Sequence, residues 1–166
     1  MKKHEIRPIR KTDDAALAAI VRKNLEAYHL DLPGTVYFDP ELDHLSRFYG
    51  KNAESRAYFV LTDSAGRVIG GVGFAEFGGF PNCAEIQKLY LMDEAKGQGL
   101  GRDLLETAEL YAEVMGYERL YLETHTALKE AIQLYQKMGY RQIPKPEGVV
   151  HSTMNRFYMK DLGQDL

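Results

Sequence analysis

Three glycines at alternating positions, Gly97, Gly99 and Gly101, lie between an apolar segment and an amphipathic one. A glycine-rich turn that joins a strand to the start of a helix presents main-chain N–H groups at the positive end of the helix dipole. Glycine also lets a ligand oxygen approach the backbone closely. The pattern therefore predicts a pyrophosphate site over residues 96–102, the alternative being a turn that only joins the two elements.

The spacing of these glycines separates the turn from two other phosphate-binding motifs. A dinucleotide fingerprint requires G-x-G-x-x-G, and a P-loop requires a Lys followed by Ser or Thr after its last glycine. Here Arg102 and Asp103 follow Gly101. No strand, fingerprint and acidic partner occur together near the N-terminus, which disfavours an NAD-dependent enzyme.

Elements that would position the turn follow from periodicity. Apolar residues at helical spacing predict a helix that ends at Gly116. They form one stripe: Leu100, Leu104, Leu105, Ala108, Tyr111, Ala112 and Met115. A strand over residues 119–124 comes next, and then a second helix that ends at Gly139. Alternation of strand and helix predicts parallel strands joined by a right-handed crossover.

The second half of the chain resembles the GCN5-related N-acetyltransferase (GNAT) family. The resemblance is carried by Leu89-Tyr90-Leu91, by the glycine turn, by Leu122-Glu123-Thr124, and by residues 131–140. The family signature is Q/R-x-x-G-x-G/A. Its three defined positions fall on Lys96, Gly99 and Gly101 of this chain. Two positions depart from the family pattern: Lys96 lacks the planar fork of arginine, and Leu128 replaces an asparagine common in the family.

The N-terminal half agrees with the same fold. Its pattern predicts a strand at residues 6–10, helices at 15–28 and 40–49, and strands at 58–61 and 68–74 around a turn at 63–67. A loop over 143–150 and a strand over 157–159 complete the chain. The resemblance implies one α/β (α+β) domain over residues 1–166. Its single mixed, mostly antiparallel sheet has six to seven strands, a splayed central parallel pair and about four flanking helices.

The resemblance also implies the co-substrate and the reaction. Acetyl-CoA would place its pantetheine arm against Leu89, Tyr90 and Leu91, and its pyrophosphate on the turn formed by Lys96, Gly97, Gln98, Gly99, Leu100, Gly101 and Arg102. The acetyl group would pass to a primary amine of a small molecule or peptide, by direct attack in a ternary complex. The alternative function is a non-catalytic sensor or interaction module that binds CoA or acyl-CoA.

Acyl transfer requires a base for the amine, an oxyanion donor and an acid for the leaving thiolate. Tyr135 matches the family's proton donor, although its place on an apolar stripe is equally typical of a core residue. Glu85 is the candidate base, and its alternative is a solvent-facing strand end; the polar cluster Glu123, Thr124 and His125 is second in line. A main-chain N–H near Leu89 or Tyr90 would meet the oxyanion.

Composition agrees with an ordinary single domain. The chain has 166 residues, 45% of them hydrophobic, a formal net charge of −3 and no basic run, which argues against nucleic acid. A lone Cys83 and scattered histidines predict no disulfide and no metal site, and His151 is expected to be a surface or satisfied side chain. No apolar segment follows Met1-Lys2-Lys3-His4 or reaches membrane-spanning length. We expect a cytoplasmic protein that does not bind membranes, with a homodimer left open.

Overall fold

The computed structural model describes residues 4–163; residues 1–3, part of the segment searched for a leader, lie outside this range. Four α-helices are formed: α1 Asp14–Ala27, α2 Leu45–Gly50, α3 Leu100–Val114 and α4 Lys129–Lys137. The seven strands are β1 His4–Pro8, β2 Ala57–Asp63, β3 Val68–Glu76, β4 Cys83–Leu91, β5 Arg119–Thr124, β6 Arg141–Ile143 and β7 Arg156–Asp161.

All the strands belong to one sheet in the order β1-β2-β3-β4-β5-β7-β6. Adjacent strands are antiparallel except for β4 and β5, which pair in parallel from Cys83–Arg119 to Glu85–Tyr121. Pairing stops at Glu85, although β4 continues for six residues to Leu91. The two central strands therefore diverge, which confirms the predicted splayed pair.

The helices cover both faces of the sheet. Residues of α3 pack against one face, and the most buried of these are Leu104, Leu105, Ala108 and Ala112. On the other face α1 buries Leu17 and Val21. Most of the apolar stripe that predicts α3 thus anchors it, whereas Tyr111 of that stripe is exposed. The helix is fixed beside the divergence of the central strands.

Three predicted elements needed correction. The strand expected over 6–10 is β1 His4–Pro8, which begins earlier and ends before Ile9. The helix expected over 40–49 is divided into a 3₁₀ turn at Leu42–His44 and α2, because His44 has a non-helical backbone (φ −138°, ψ 45°). The loop expected over 143–150 begins one residue late, because Ile143 ends β6, whose pairing with β7 places it opposite Phe157. Three residues are too few to show a strand period, so only the partner strand reveals β6.

Candidate functional site: a cleft where the central strands part

The cleft is the opening that β4 and β5 leave between them beyond Glu85. The Met92 N–H donates to Ile69 C=O on the β3 side, so the neighbouring Leu91 amide points the other way, toward the cleft. The Leu91 C=O accepts a 2.8 Å hydrogen bond from Asn24 Nδ2 of α1. Asn24, which the sequence analysis missed, thereby holds the end of β4 in place.

A β-bulge shapes the middle of β4. Gly71 pairs with Tyr90 and Gly73 with Gln87, so Lys88 and Leu89 together face the single residue between these glycines. Lys88 has a φ of +51°, a left-handed conformation that a side chain disfavours. Neither β3 nor β5 pairs with Leu89 in register. The C=O of Lys88 points to Tyr58, so the Leu89 N–H of the same trans peptide points away from Tyr58.

Tyr58 pins this bulge from the neighbouring strands. Its Oη donates a 2.8 Å hydrogen bond to Lys88 C=O, and the ring lies over two glycines of β3. A Cβ at Gly71 or Gly73 would come within 2.5 Å of the Tyr58 ring. These glycines are therefore explained by the close approach of the tyrosine, and the sequence pattern of β3 by itself does not reveal it.

The glycine turn combines left-handed backbone with a helix start that no side chain caps. Gly97 and Gly99 have φ values of +76° and +78°, with open space where a side chain would begin. Gly99 immediately precedes α3, and no side chain caps the helix there. The N–H groups of the first turn of α3 are thus left for an anion.

Side chains around the turn take different positions. Lys96 lines the cleft with Nζ 3.1 Å from an Asp93 carboxylate oxygen. Arg102 also lines it, and its Nε donates to Glu106. Gln98 directs its side chain back to Glu94 C=O, which leaves its main chain as the part available to a ligand. The remaining predicted cofactor residues, Leu89, Tyr90, Leu91, Gly97, Gly99, Leu100 and Gly101, all line the cleft.

Tyr135 of α4 lines the same cleft and is 7% exposed. Burial raises the pKa of its phenol well above the ordinary value. The hydroxyl therefore stays protonated at neutral pH. Leu128, the residue before α4, also lines the cleft, and its side chain supplies no helix cap.

Glu85 occupies the point where pairing between β4 and β5 ends, and it lines both the cleft and an adjoining cavity. Burial, with the nearby charge of Glu123, raises the pKa of Glu85 to about 7. A hydrogen-bond chain orients it: Tyr49 Oη donates to Gln87 Oε1 at 2.7 Å, and Gln87 Nε2 donates to Glu85 Oε1 at 3.0 Å. The carboxylate can thus exchange a proton near neutral pH.

The adjoining cavity is rich in carboxylates. Its lining contains Asp39, Glu41, Glu76, Glu85, Glu123 and Glu147. It also contains two basic side chains, both engaged with carboxylates: Lys88 Nζ lies 2.8 Å from Asp39 Oδ2, and His151 contacts Asp39 and Glu123. A ligand in this cavity would meet no uncommitted cation among the described lining residues.

Other sequence candidates are distributed around these two spaces. Glu123 lines both, and Thr124 lines the cleft. His125 lines neither space, and its Nδ1 accepts from the Ala127 N–H. His151 is half-buried and hydrogen-bonded at both ring nitrogens. Its partner Asp39, 112 positions away, is a further residue that the sequence analysis missed.

Residues 4–163 lack two further features. They contain no cluster of His, Cys, Asp and Glu that could hold a metal ion. No helix among them combines the length and apolarity needed to cross a bilayer.

Comparison with known proteins gives the family context of the chain. A model described as the acetyltransferase (GNAT) family matches residues 21–140. The chain is 37% identical over 133 residues to the uncharacterized N-acetyltransferase YjgM of Escherichia coli, covering 79% of this chain and 78% of that protein. It is 32% identical over 122 residues to the uncharacterized N-acetyltransferase C1271.07c of Schizosaccharomyces pombe, covering 74% and 72%.

Solved structures share the fold. A GNAT-family acetyltransferase from Staphylococcus aureus superposes with a TM-score of 0.81 at 16% identity, covering 96% of this chain and 99% of that one. A GNAT superfamily phosphinothricin acetyltransferase from Sinorhizobium meliloti in complex with AcCoA gives 0.77 at 20% identity, covering 98% and 90%.

Proposed function

The chain belongs to the GNAT family of acetyltransferases and is an acetyl-CoA-dependent N-acetyltransferase; from this premise we propose that it acetylates a primary amine of a small molecule or peptide by direct attack in a ternary complex. The observation that carries the proposal is that Glu85 and Tyr135 line one cleft. A titratable carboxylate and a protonated phenol beside the same space supply the base and the acid that the reaction needs. A sensor would need neither.

The donor fits the cleft in two parts. The pantetheine amides would pair with the main-chain groups that β4 leaves open along Leu89–Leu91, as an added strand does. The pyrophosphate would lie on the turn of residues 96–102, where the left-handed Gly97 and Gly99 present their N–H groups. Lys96 would add a positive charge beside it.

Transfer then proceeds through defined proton movements. Glu85 removes a proton from the ammonium group, and the neutral nitrogen attacks the thioester carbonyl. The Leu89 N–H stabilises the resulting oxyanion. When the carbon–sulfur bond breaks, Tyr135 gives its proton to the CoA thiolate and regains one from the acetylated nitrogen.

Direct attack is favoured over an acetylated protein intermediate by the position of Cys83. This sole cysteine is buried outside the cleft lining, and burial raises the pKa of its thiol to about 12. A thiol held in its protonated form is a poor nucleophile. The amine is therefore the nucleophile that meets the thioester.

The cavity beside Glu85 indicates the class of amine. Its carboxylates attract a cationic acceptor, whereas Lys88 and His151 are already engaged with Asp39 and Glu123. An acceptor that carries a carboxylate next to its nitrogen would meet repulsion without a free cation to bind it. We therefore propose cationic amines without a neighbouring carboxylate as the acceptor class.

A thiol-release assay with matched acceptors tests the function. Phenethylamine and phenylalanine differ only by the carboxylate next to the nitrogen, and at pH 8 we expect kcat/KM for phenethylamine to be higher by about tenfold. Equal values, or a preference for phenylalanine, would contradict the acceptor class. Acetyl-CoA binding without thiol release, across a wide panel of amines, would contradict the enzymatic proposal and support a sensor.

A further inference from the structure

The acceptor cavity is the carboxylate-rich cavity beside Glu85 that we assign to the amine. Four charged side chains of alternating sign form a continuous row along it: Lys88, Asp39, His151 and Glu123. We call this row the ion chain. Lys88 Nζ lies 2.8 Å from Asp39 Oδ2, and Asp39 Oδ1 lies 2.7 Å from His151 Nε2. His151 Nδ1 lies 3.0 Å from Glu123 Oε1. Each charge in the row is thus neutralised by the next.

The members come from distant parts of the chain. Lys88 lies in the bulge of β4 and Glu123 near the end of β5, so both belong to the sheet. Asp39 lies between α1 and α2, and His151 between β6 and β7. The ion chain therefore ties two connecting segments to the two strands that form the cleft.

His151 is the central connection of the row. Its two ring nitrogens face one carboxylate each, so both must donate, as in an imidazolium ion. We propose that His151 is a positioning residue, which holds the wall of the acceptor cavity and the Glu123 carboxylate in place beside Glu85. This inference rests on the proposed function and adds to it a residue that acts through its neighbours.

The consequence of losing His151 follows from what its partners retain. Asp39 would keep Lys88, whereas among the described residues Glu123 would keep only the hydroxyl of Tyr121, which donates to it at 2.9 Å. The Glu123 side chain is 6% exposed, so its charge would be left without a counterion in a poorly solvated place. Since Glu123 lies near Glu85, the loss of the counterion would change the pKa of Glu85, the proposed base.

The direction of that change can be worked out. Burial and Glu123 raise the pKa of Glu85, whereas Gln87, His151 and Lys88 lower it. The charge of Glu85 in turn raises the pKa values of three further titratable groups near it, Tyr49, Cys83 and Tyr121. Removing the His151 cation deletes a lowering influence and exposes the Glu123 charge, so the ascending limb of activity should move to higher pH.

His151→Gln is the test, with kinetics as the first measurement. We expect kcat/KM for the amine to fall about tenfold, KM for acetyl-CoA to stay within twofold, and the ascending pH limb to move up. Adding Glu123→Gln removes the unpaired carboxylate and should bring the limb back down. His44→Gln changes an exposed histidine on the Leu42–His44 turn and should leave all three readouts unchanged.

A second measurement does not depend on activity. Burial by itself would lower the pKa of His151, but its hydrogen bonds to Asp39 and Glu123 outweigh this and raise it to about 10. An NMR titration assigned with His151→Gln should therefore show an imidazole still protonated at pH 8. Titration near the ordinary value, or an unmoved pH limb in the variant, would overturn the positioning role. A high imidazole pKa without transfer to any amine would instead overturn the proposed function.

Discussion

The Tyr58 hydroxyl reaches across β3 and donates a 2.8 Å hydrogen bond to the main-chain carbonyl of Lys88, the residue that bends β4. This buried hydroxyl thus bonds to one backbone oxygen, and two glycines of β3 leave space for the tyrosine ring. Because Leu89 follows Lys88 directly, this bond sets the position of the N–H assigned to the oxyanion.

Tyr58→Phe tests that relationship. The variant should lose about 1 kcal/mol of stability, and kcat should fall about tenfold because the oxyanion donor is displaced. Tyr117→Phe is the matched control, since the Tyr117 hydroxyl also donates a 2.8 Å hydrogen bond to a main-chain oxygen, that of Ser55, outside the cleft lining. Urea unfolding and steady-state kinetics should show similar stability losses and a kcat loss for Tyr58→Phe alone.

Tyr135→Phe should lower kcat about 100-fold and leave the Kd for acetyl-CoA nearly unchanged, because it removes a proton donor and no phosphate contact. Tyr140→Phe is the control, since the Tyr140 hydroxyl donates to Glu109 outside the cleft lining. Calorimetry and thiol release measure the two quantities. Equal losses of binding and turnover in Tyr135→Phe would assign that tyrosine to packing.

Activity should rise with pH through about 7, because Glu85 must be ionised to accept a proton and its pKa is raised to about 7. Glu85→Gln should remove this limb and lower kcat at pH 8 about 100-fold. A limb that persists in the variant would reflect ionisation of the amine instead. Glu54→Gln, an exposed carboxylate change, should leave the profile intact.

The raised pKa of Glu85 also makes the free energy of unfolding depend on pH. A carboxyl that binds its proton more tightly in the folded state favours folding below its ordinary pKa of 4.5, and this contribution is lost as pH rises through about 7. Glu85→Gln should therefore be more stabilising, relative to the wild type, at pH 8 than at pH 5. Urea midpoints at the two pH values measure this, and a difference of the opposite sign would contradict the raised pKa.

Gly99→Val should raise KM for acetyl-CoA about tenfold and affect kcat at saturation much less, because the turn proposed to hold the pyrophosphate needs a φ of +78° that a β-branched residue resists. Gly116→Val meets a similar constraint, φ +100° with open space, at the other end of α3. It should cost stability and leave KM unchanged. A KM shift of equal size in both variants would show a general weakening of α3.

Sequence and structure agree where one local pattern decides the outcome. The stripe from Leu100 to Met115 predicts α3, and the glycine spacing predicts the turn with its left-handed Gly97 and Gly99. The bulge at Lys88 could not be predicted, because it depends on a tyrosine thirty positions away. Asp39 and His151 are separated by 112 positions, and neither occurs in a motif. Such long-range charge pairing becomes visible only when the chain is folded.

Register between the central strands ends at Glu85. The protein therefore leaves the middle of its own β-structure unfinished, and the proposed donor would complete it with each round of catalysis and undo it again when free CoA departs. Resistance to heat should consequently track the occupancy of the donor, so that the resting enzyme is the least rigid member of its own reaction cycle.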